Sequence, residues 1–557
     1  MKILVFVKQI PDINAIKFDP KTKRIIRSGV KLVFNSYDKK AVEAAVQLSE
    51  KYGCETYAAS MGPPDAADIL RYSMRMGINH GILLSDRNFA GSDTFVTAHI
   101  LAALVNIINP DIILAGKSSL DGETSQVPPE TAQMCGYNFM SSVSEIQVME
   151  KSVVVSRDED DGMAKYEVPL PAFLSVSEKI NRARQVDPSI IPEEVEVYDS
   201  DITPWKGNKS PTRVIDTFSL NSSRNNKFIN FNEFLKIIDA PEDANGSGQY
   251  KYMGEPESGN IFLGLAVDDP RISMEISSKI CEISRDKIVV IGNIDPANLQ
   301  GLACHQYIYL EGYDNASIAK YVVKYINENP VKHVLAPSNL NGRDIMSFVA
   351  ASLGLGLTAD CVDIKLEDGK MIQYKPSFGG GIIAVIQSKT DPDAATVRKG
   401  MFPVKYISRS FETLKVRSNT TSSYRLLEKI PLDSKLRPLD THIIFGIGTG
   451  VGVDDIKTIY AIADKLKASV GATRRVVDAG RIPRQFQIGL TGVSISPGLY
   501  IAIGISGSDN HVVGIRYAGK VIAINNNPGA AIFNHSDMGI IMDSHEFIEK
   551  LCEYMKC

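Results

Sequence analysis

No stretch of this sequence stays apolar for the roughly 18–20 residues that a helical bilayer crossing needs, which excludes a helical integral membrane protein. Neither sign of charge dominates. The 61 basic and 65 acidic residues leave a net −4, so no basic face for nucleic acid is implied. Paired cysteine patterns are missing as well. The seven cysteines are scattered, with no CxxC and no Cys/His spacing. That argues against a zinc site or an iron–sulfur cluster and for free thiols in a reducing cytosol. The opening Met1–Val7 is too short for a secretory leader and reads as a first buried strand, so a cytoplasmic location is expected. No SGGxDS-type pyrophosphate loop follows that strand; Val7-Lys8-Gln9-Ile10-Pro11 stands there instead, which counts against an ATP-using adenylating enzyme. The acidic clusters Asp454-Asp455 and Asp158–Asp161 read as solvated surface, and no acid–base or nucleophilic machinery is expected.

What is present is alternation of strands and helices. Ile3–Val7, Thr56–Met61, Gly81–Leu84 and Asp111–Ala115 have the length and composition of buried parallel strands. Lys39–Tyr52 and Ala66–Gly77 between them carry apolar residues at helical spacing. A second block begins at Ile261, with strands expected at Ile261–Val267, Lys287–Ile291 and His333–Ala336. It echoes the first. Asn109-Pro110 recurs as Asn329-Pro330, and Ser118, Leu120 and Gly122 recur as Ser338, Leu340 and Gly342, all at one offset. A duplicated doubly wound domain is the economical explanation. The polar, glycine- and proline-rich stretch Pro241–Asn260 reads as a linker, and Arg409–Pro438 as a weaker join. The expected organisation is therefore a nucleotide-binding domain with a C-terminal arm over 1–240, a linker over 241–260, a second domain over 261–408, a join over 409–438 and a last domain over 439–557. The fold class is α/β: two pseudo-repeated doubly wound parallel sheets, then a Rossmann-like α/β domain.

That last domain is the most informative. Leu499–Ile505 and Val521–Ile524 read as buried strands, each followed by a small polar turn, Ser506-Gly507-Ser508 and Asn525-Asn526-Asn527. Gly446, Gly448, Gly450 and Gly452 follow the strand expected at Thr441–Phe445 and precede a helix expected to open at Val453. Ligands of open α/β sheets sit at such strand ends, where small residues let backbone amides approach phosphate. The run VGATRRVVDAG, LTG, LYIAIGISG, a histidine, VIAIN and Asp543 resembles the FAD-binding domain of electron transfer flavoprotein alpha subunits. Upstream, LGLTADC, PSFGGGIIA and ATVRKGM look like the rest of that subunit. KQIPDINAIKFDPKTKRIIRSGV, MGPPDAADILR, LLSDRNFAGSDT, AGKSSLDGETSQVPPE and SPTRVIDTFS resemble the beta subunit. The chain thus looks like a beta–alpha fusion, with base domains similar to adenine nucleotide alpha hydrolase folds.

The resemblance implies an FAD held by Thr473, Arg474, Thr491, Gly492, Ser506, Gly507, Asn510, His511, Asn525 and Asp543. Arg474 would lie against the flavin ring and raise its potential as a fixed cation. Thr491 would reach the N5 edge, and His511 would donate to the N1/C2=O edge, where charge collects on one-electron reduction. Asn525 and Asp543 match the positions that hold the pyrophosphate and adenosine end. Leu490 and Asn510 stand where the family has glutamine, which puts two polar contacts in doubt. The resemblance also implies a second nucleotide, FAD or AMP, at Asn35, Gly116, Asp121, Gly122, Thr124, Gln126 and Val127. The opening segment, including Ile13 where plain carriers have an aromatic, favours FAD and hence the electron-bifurcating branch, with NADH as donor. Ser338–Gly342 lacks the glycine–lysine start, and that copy is expected to be empty. Ser177–Ile191, with Pro188 at the tip where the family has leucine and Ile190-Ile191 just beyond, matches the loop that docks acyl-CoA dehydrogenases; ferredoxin or flavodoxin is the other class of partner. A plain one-FAD carrier with AMP, and a structural module holding AMP alone, stay open.

Overall fold

The structure, a computed structural model, describes residues 1–12, 17–19, 24–26, 30–159, 162–219, 224–239, 250–378, 381–418, 424–431, 437–489 and 492–557. Ile13, residues 160–161, the linker residues 241–249, Gly379-Gly380, Leu490 and the proposed ligand Thr491 lie outside them. The described residues form two compact units. One is drawn from within Met1–Ser219, Tyr250–Phe378 and Ile382–Pro431, the other from within Leu220–Gln249, Gly379–Gly381 and Leu432–Cys557.

The first unit contains the duplication. In the first block the parallel strands run in the spatial order Glu196–Tyr198, His80–Leu84, Glu55–Met61, Lys2–Phe6, Ile112–Gly116, Ala172–Val176, Asn138–Val148. In the second block the order is Glu412–Arg417, Gln306–Glu311, Lys287–Gly292, Ile261–Ala266, Val331–Pro337, Asp393–Val397, Leu357–Cys361. Position for position the two sheets have one connectivity, the doubly wound order with its switch beside the first strand. Equivalent helices start alike: Asp93 accepts from the Val96 amide at 3.1 Å, and Asp314 from the Ser317 amide at 2.8 Å. Side chains of both blocks meet in one core, where the rings of Phe139 and Phe348 stand edge to face 6.0 Å apart.

Each block also lends the other an edge strand. Thr212–Ser219 pairs antiparallel with Ile382–Ser388 of the second block, and Arg425–Pro431 pairs antiparallel with Gly162–Pro169 of the first. The segment expected as a loose join, 409–438, thus contains two edge strands, Glu412–Arg417 and Arg425–Pro431. Their side chains are almost all exposed, so no buried alternation marks them. The linker also ends sooner than expected, because Lys251–Tyr252 pairs with Tyr406–Ile407.

The second unit is a six-stranded parallel sheet in the order Lys227–Phe228, Met538–Ile541, Lys520–Asn525, Leu499–Ile503, Ile443–Ile447, Ser469–Ala472. Its first strand and the helix Phe231–Asp239 come from the segment assigned to the first domain. Phe234 and Ile238 of that helix are buried in this unit's core, Phe234 completely, with Phe547 5.1 Å away ring to ring. The described part of 220–240 therefore belongs with the last domain. Phe234→Ala is expected to cost about 3–5 kcal/mol. Hydrogen exchange checks this: the opening free energy of the Leu499–Ile503 amides should fall by that amount, and that of the Ile112–Gly116 amides should not.

Candidate functional site

In the second unit the chain leaves strand Ile443–Ile447 for Ser469–Ala472 on one side and later returns to Leu499–Ile503 on the other. That is a topological switch point, and its crevice opens at the strands' carboxyl ends. Glycine lines it. A Cβ on Gly448 would lie 2.0 Å from the Gly504 carbonyl oxygen, and one on Gly504, which has φ +62°, would lie 2.9 Å from Gly450. Two backbones therefore touch where any side chain would separate them. Beyond Gly504, Ser506 is exposed, and Gly507, at φ +90°, lies against Ile532. Among the described residues, no acceptor pairs with the backbone amides of Ser506, Gly507 and Ser508. Amides without an acceptor at a glycine-lined strand end suit an anion such as pyrophosphate.

The expected ligands gather at this edge. Thr473 and Arg474 follow strand Ser469–Ala472; the Thr473 hydroxyl makes no capping bond, and Arg474 is 64% exposed, 3.2 Å from Asp478. Gly492 closes the neighbouring turn, its amide donating to the Gly489 carbonyl at 2.9 Å. Asn510 is exposed in helix Asp509–Ile515. Asn525 ends strand Lys520–Asn525, donating from Nδ2 to the Ile505 carbonyl at 3.0 Å. Asp543 caps helix Ser544–Met555, accepting from the His545 amide at 2.9 Å.

His511 follows Asn510 in helix Asp509–Ile515. It is 3% exposed, its Nδ1 donates to the Ile488 carbonyl at 3.1 Å, and its Nε2 accepts from the Tyr500 hydroxyl at 2.9 Å. Burial pushes its pKa down to about 4, so the ring is neutral. Both nitrogens are paired within the protein. The residue missed from sequence is Tyr500, fully buried. Its signal is Gly446 on the adjacent strand, where a Cβ would lie 1.7 Å from the tyrosine oxygen.

The first unit has a comparable strand end at Gly116. A Cβ there would meet Asp38 Oδ1 at 2.4 Å and Tyr37 Cβ at 2.6 Å, so glycine lets helix Ser36–Tyr52 start against the strand. Asn35 precedes that helix, wholly buried; its Nδ2 donates to the Ser118 carbonyl at 2.9 Å, and its Oδ1 has no partner among the described residues. An orphaned buried oxygen at a strand end fits a ligand that donates to it, as an adenine amino group does. Lys8 Nζ meets Asp121 at 2.8 Å, and the Gly122 amide donates to the Asp121 side chain at 2.8 Å. Gln126, also buried, precedes helix Val127–Cys135 and donates to the Leu357 carbonyl at 3.2 Å. Thr124 is half-buried, its hydroxyl 3.5 Å from the Gln126 amide. The structure thus brings Asn35 and Gly116 together with Asp38, which sequence reasoning passed over although it stands three residues after the helix cap. In the second block the matching loop spends its groups on itself: Asn339 accepts from the Gly342 amide at 2.9 Å, and Arg343 donates to Ser338 at 2.9 Å.

Glycine-lined strand ends of this kind define a nucleotide-binding α/β protein. Residues 22–201 and 307–419 match the Electron transfer flavoprotein domain, and residues 439–516 the Electron transfer flavoprotein FAD-binding domain. The chain is 37% identical over 233 residues to the caffeyl-CoA reductase-Etf complex subunit CarD of Acetobacterium woodii, covering 39% of this chain and 88% of that protein. It is 35% identical over 236 residues to the electron transfer flavoprotein subunit beta of Thermoanaerobacterium thermosaccharolyticum (40% of this chain, 90% of that protein). It is 33% identical over 256 residues to subunit alpha of the same organism (44% and 78%). The chain belongs to the electron transfer flavoprotein family, with beta-subunit relatives matching its N-terminal half and the alpha-subunit relative its C-terminal region. It is a fusion of the two.

Asp38 offers a test of the first-unit site. Burial pushes its carboxyl up to about 7, against the amides of Lys8 at 2.8 Å and Gly116 at 3.2 Å, which favour the charge. Between about pH 4, the unfolded value, and about pH 7 the folded state holds a proton that the unfolded state has lost, so stability falls as pH rises. Asp38→Asn lacks this penalty. The thermal midpoint of the variant minus that of wild type should grow between pH 5 and pH 8; a pH-independent difference would contradict the assignment.

Proposed function

We propose that this protein is an electron carrier working through FAD in its second unit, between a dehydrogenase or NADH and a redox partner. FAD, when bound, supplies the one- and two-electron chemistry. The chain's residues would do the rest. The amides of Ser506 to Ser508, which have no acceptor among the described residues, would donate to the pyrophosphate, with Asn525 and Asp543 at the neighbouring strand ends. Thr473, Gly492 and Asn510 would face the ring, and Thr491, which lies outside the described residues, is given the N5 edge by the family resemblance alone. Arg474 sets a fixed cation at the ring and favours its anionic reduced form. His511 and Tyr500 hold the Ile488 turn in register rather than touching the flavin. The observation that carries this reading is the glycine crevice at the switch point of the unit that the FAD-binding domain matches.

At Asn35, Gly116, Asp121, Gly122, Thr124, Gln126 and Val127 we propose a second nucleotide, FAD in preference to AMP. Two flavins in one chain would suit electron bifurcation, with NADH as donor and ferredoxin or flavodoxin as one acceptor. The likeness to CarD, named as part of a caffeyl-CoA reductase complex, supports an acyl-CoA dehydrogenase-type flavoprotein as the other partner. Ile191, 90% exposed just beyond the tip of the proposed docking loop, supports the same partner. That loop is braced by Arg184, which meets Glu43 at 2.9 Å and Glu50 at 2.6 Å.

Extracting nucleotides from the purified protein and counting them per chain tests the reading. Two FAD support bifurcation, one FAD with one AMP supports a plain carrier, and no FAD overturns both. Arg474→Ala is expected to lower the second unit's flavin potential in a redox titration; an unchanged potential removes the role given to Arg474.

A further inference from the structure

Lys375 lies on strand Lys370–Ser377 of the second block and is 4% exposed. Its ammonium donates to the carbonyl of Gly122, 253 residues away, at 2.6 Å, and to that of Pro376 at 2.9 Å. Gly122 belongs to the loop between strand Ile112–Gly116 and helix Val127–Cys135 of the first block. Two more contacts tie that loop to the second block: the Phe378 amide donates to the Asp121 carbonyl at 3.2 Å, and Gln126 donates to the Leu357 carbonyl at 3.2 Å.

The loop needs holding. Glu123 and Ser125 have φ of 51° and 57°, left-handed values that side-chain-bearing residues keep only when their surroundings impose them. The lysine is costly too, since burial pushes its ammonium down while Glu123 and Asp360 nearby favour its charge. An apolar residue would fill this position more cheaply. Two unfavourable features therefore meet at one loop, and that loop carries Asp121, Gly122 and Thr124.

We infer that Lys375 is a positioning residue for the N-terminal nucleotide: from the alpha-like half it fixes the Gly122 carbonyl and so holds the beta-like loop in its ligand-receiving form. The inference rests on the reading that this loop binds a nucleotide. On this account the site requires both halves of the fused chain. The cation behind the loop also favours an anionic ligand in front of it.

The test uses the full-length protein with FAD in the second unit. Lys375→Met keeps most of the stem and removes the charge, Lys375→Gln keeps a donor without the charge, and Lys375→Arg keeps both. Nucleotide content is counted by extraction, AMP is titrated calorimetrically into protein stripped of its N-terminal nucleotide, and hydrogen exchange follows the Glu123 and Ser125 amides. Lys375→Met should weaken AMP binding at least about tenfold, the loss expected for a charged hydrogen bond, and speed exchange at those amides. Second-unit FAD should stay at wild-type content, and Lys375→Arg should restore affinity. Should Lys375→Met fail to melt cooperatively, Lys375→Gln is read in its place, with the same expectation. Wild-type affinity and exchange in the neutral variant would overturn the positioning role and leave the two-nucleotide reading standing. A wild-type protein that carries no second nucleotide and binds neither AMP nor FAD there would overturn that reading, and this inference with it.

Discussion

Contact of backbone with backbone at Gly448, Gly450 and Gly504 is the constraint on which the second unit depends. Parallel strands Ile443–Ile447 and Leu499–Ile503 diverge at their carboxyl ends because the chain leaves them in opposite directions. Only residues without Cβ let the two exits lie against each other. Consequences follow down the chain. Gly446 makes room for the Tyr500 hydroxyl, the Ile488 carbonyl fixes the tautomer of His511 by accepting from Nδ1, and Tyr500 donates to the Nε2 left unprotonated. A buried neutral histidine with both nitrogens paired is a rigid spacer. The exposed edge around it keeps the open donors and the exposed cation Arg474.

The first unit solves a different problem with one motif used twice. Two blocks whose parallel sheets have the same connectivity share a core, and each gives one strand to the other's antiparallel strands, in the second block a separate four-stranded sheet. Their strand-end loops have parted company chemically. In the first block Asn35 leaves a buried oxygen without a partner among the described residues, and Asp38 bears a burial-raised pKa. In the second, Asn339, Gly342, Ser338 and Arg343 satisfy one another. A duplicated fold thus carries two strand ends of different polar chemistry, one with an unpaired buried oxygen among the described residues and one whose side chains bond to each other.

Most of the fold was legible because buried parallel strands are continuous apolar runs. Ile261–Ala266, Lys287–Gly292 and Leu499–Ile503 lie within two residues of their expected bounds. The elements that escaped carry weak local signals. Arg425–Pro431 is an edge strand exposed along its length, and Lys227–Phe228 is a two-residue strand whose partner, Met538–Ile541, lies more than 300 residues on. Consecutive motif residues such as Thr473-Arg474 and Ser506-Gly507 could be placed at strand ends from the sequence, and they lie there. The surroundings of His511 could not, because only the fold sets Tyr500 and the Ile488 carbonyl on either side of its ring. Lys375 gives no local signal at all, since its partner carbonyl is supplied by the other half of the chain.

The central claim is that FAD occupies the glycine-lined strand ends of the second unit. A crystal structure of the protein as purified tests it most directly. The account expects flavin density beside Arg474 and Gly492, with the pyrophosphate on the amides of Ser506 to Ser508. Density for a flavin elsewhere in that unit, or a different molecule on those amides, would contradict it.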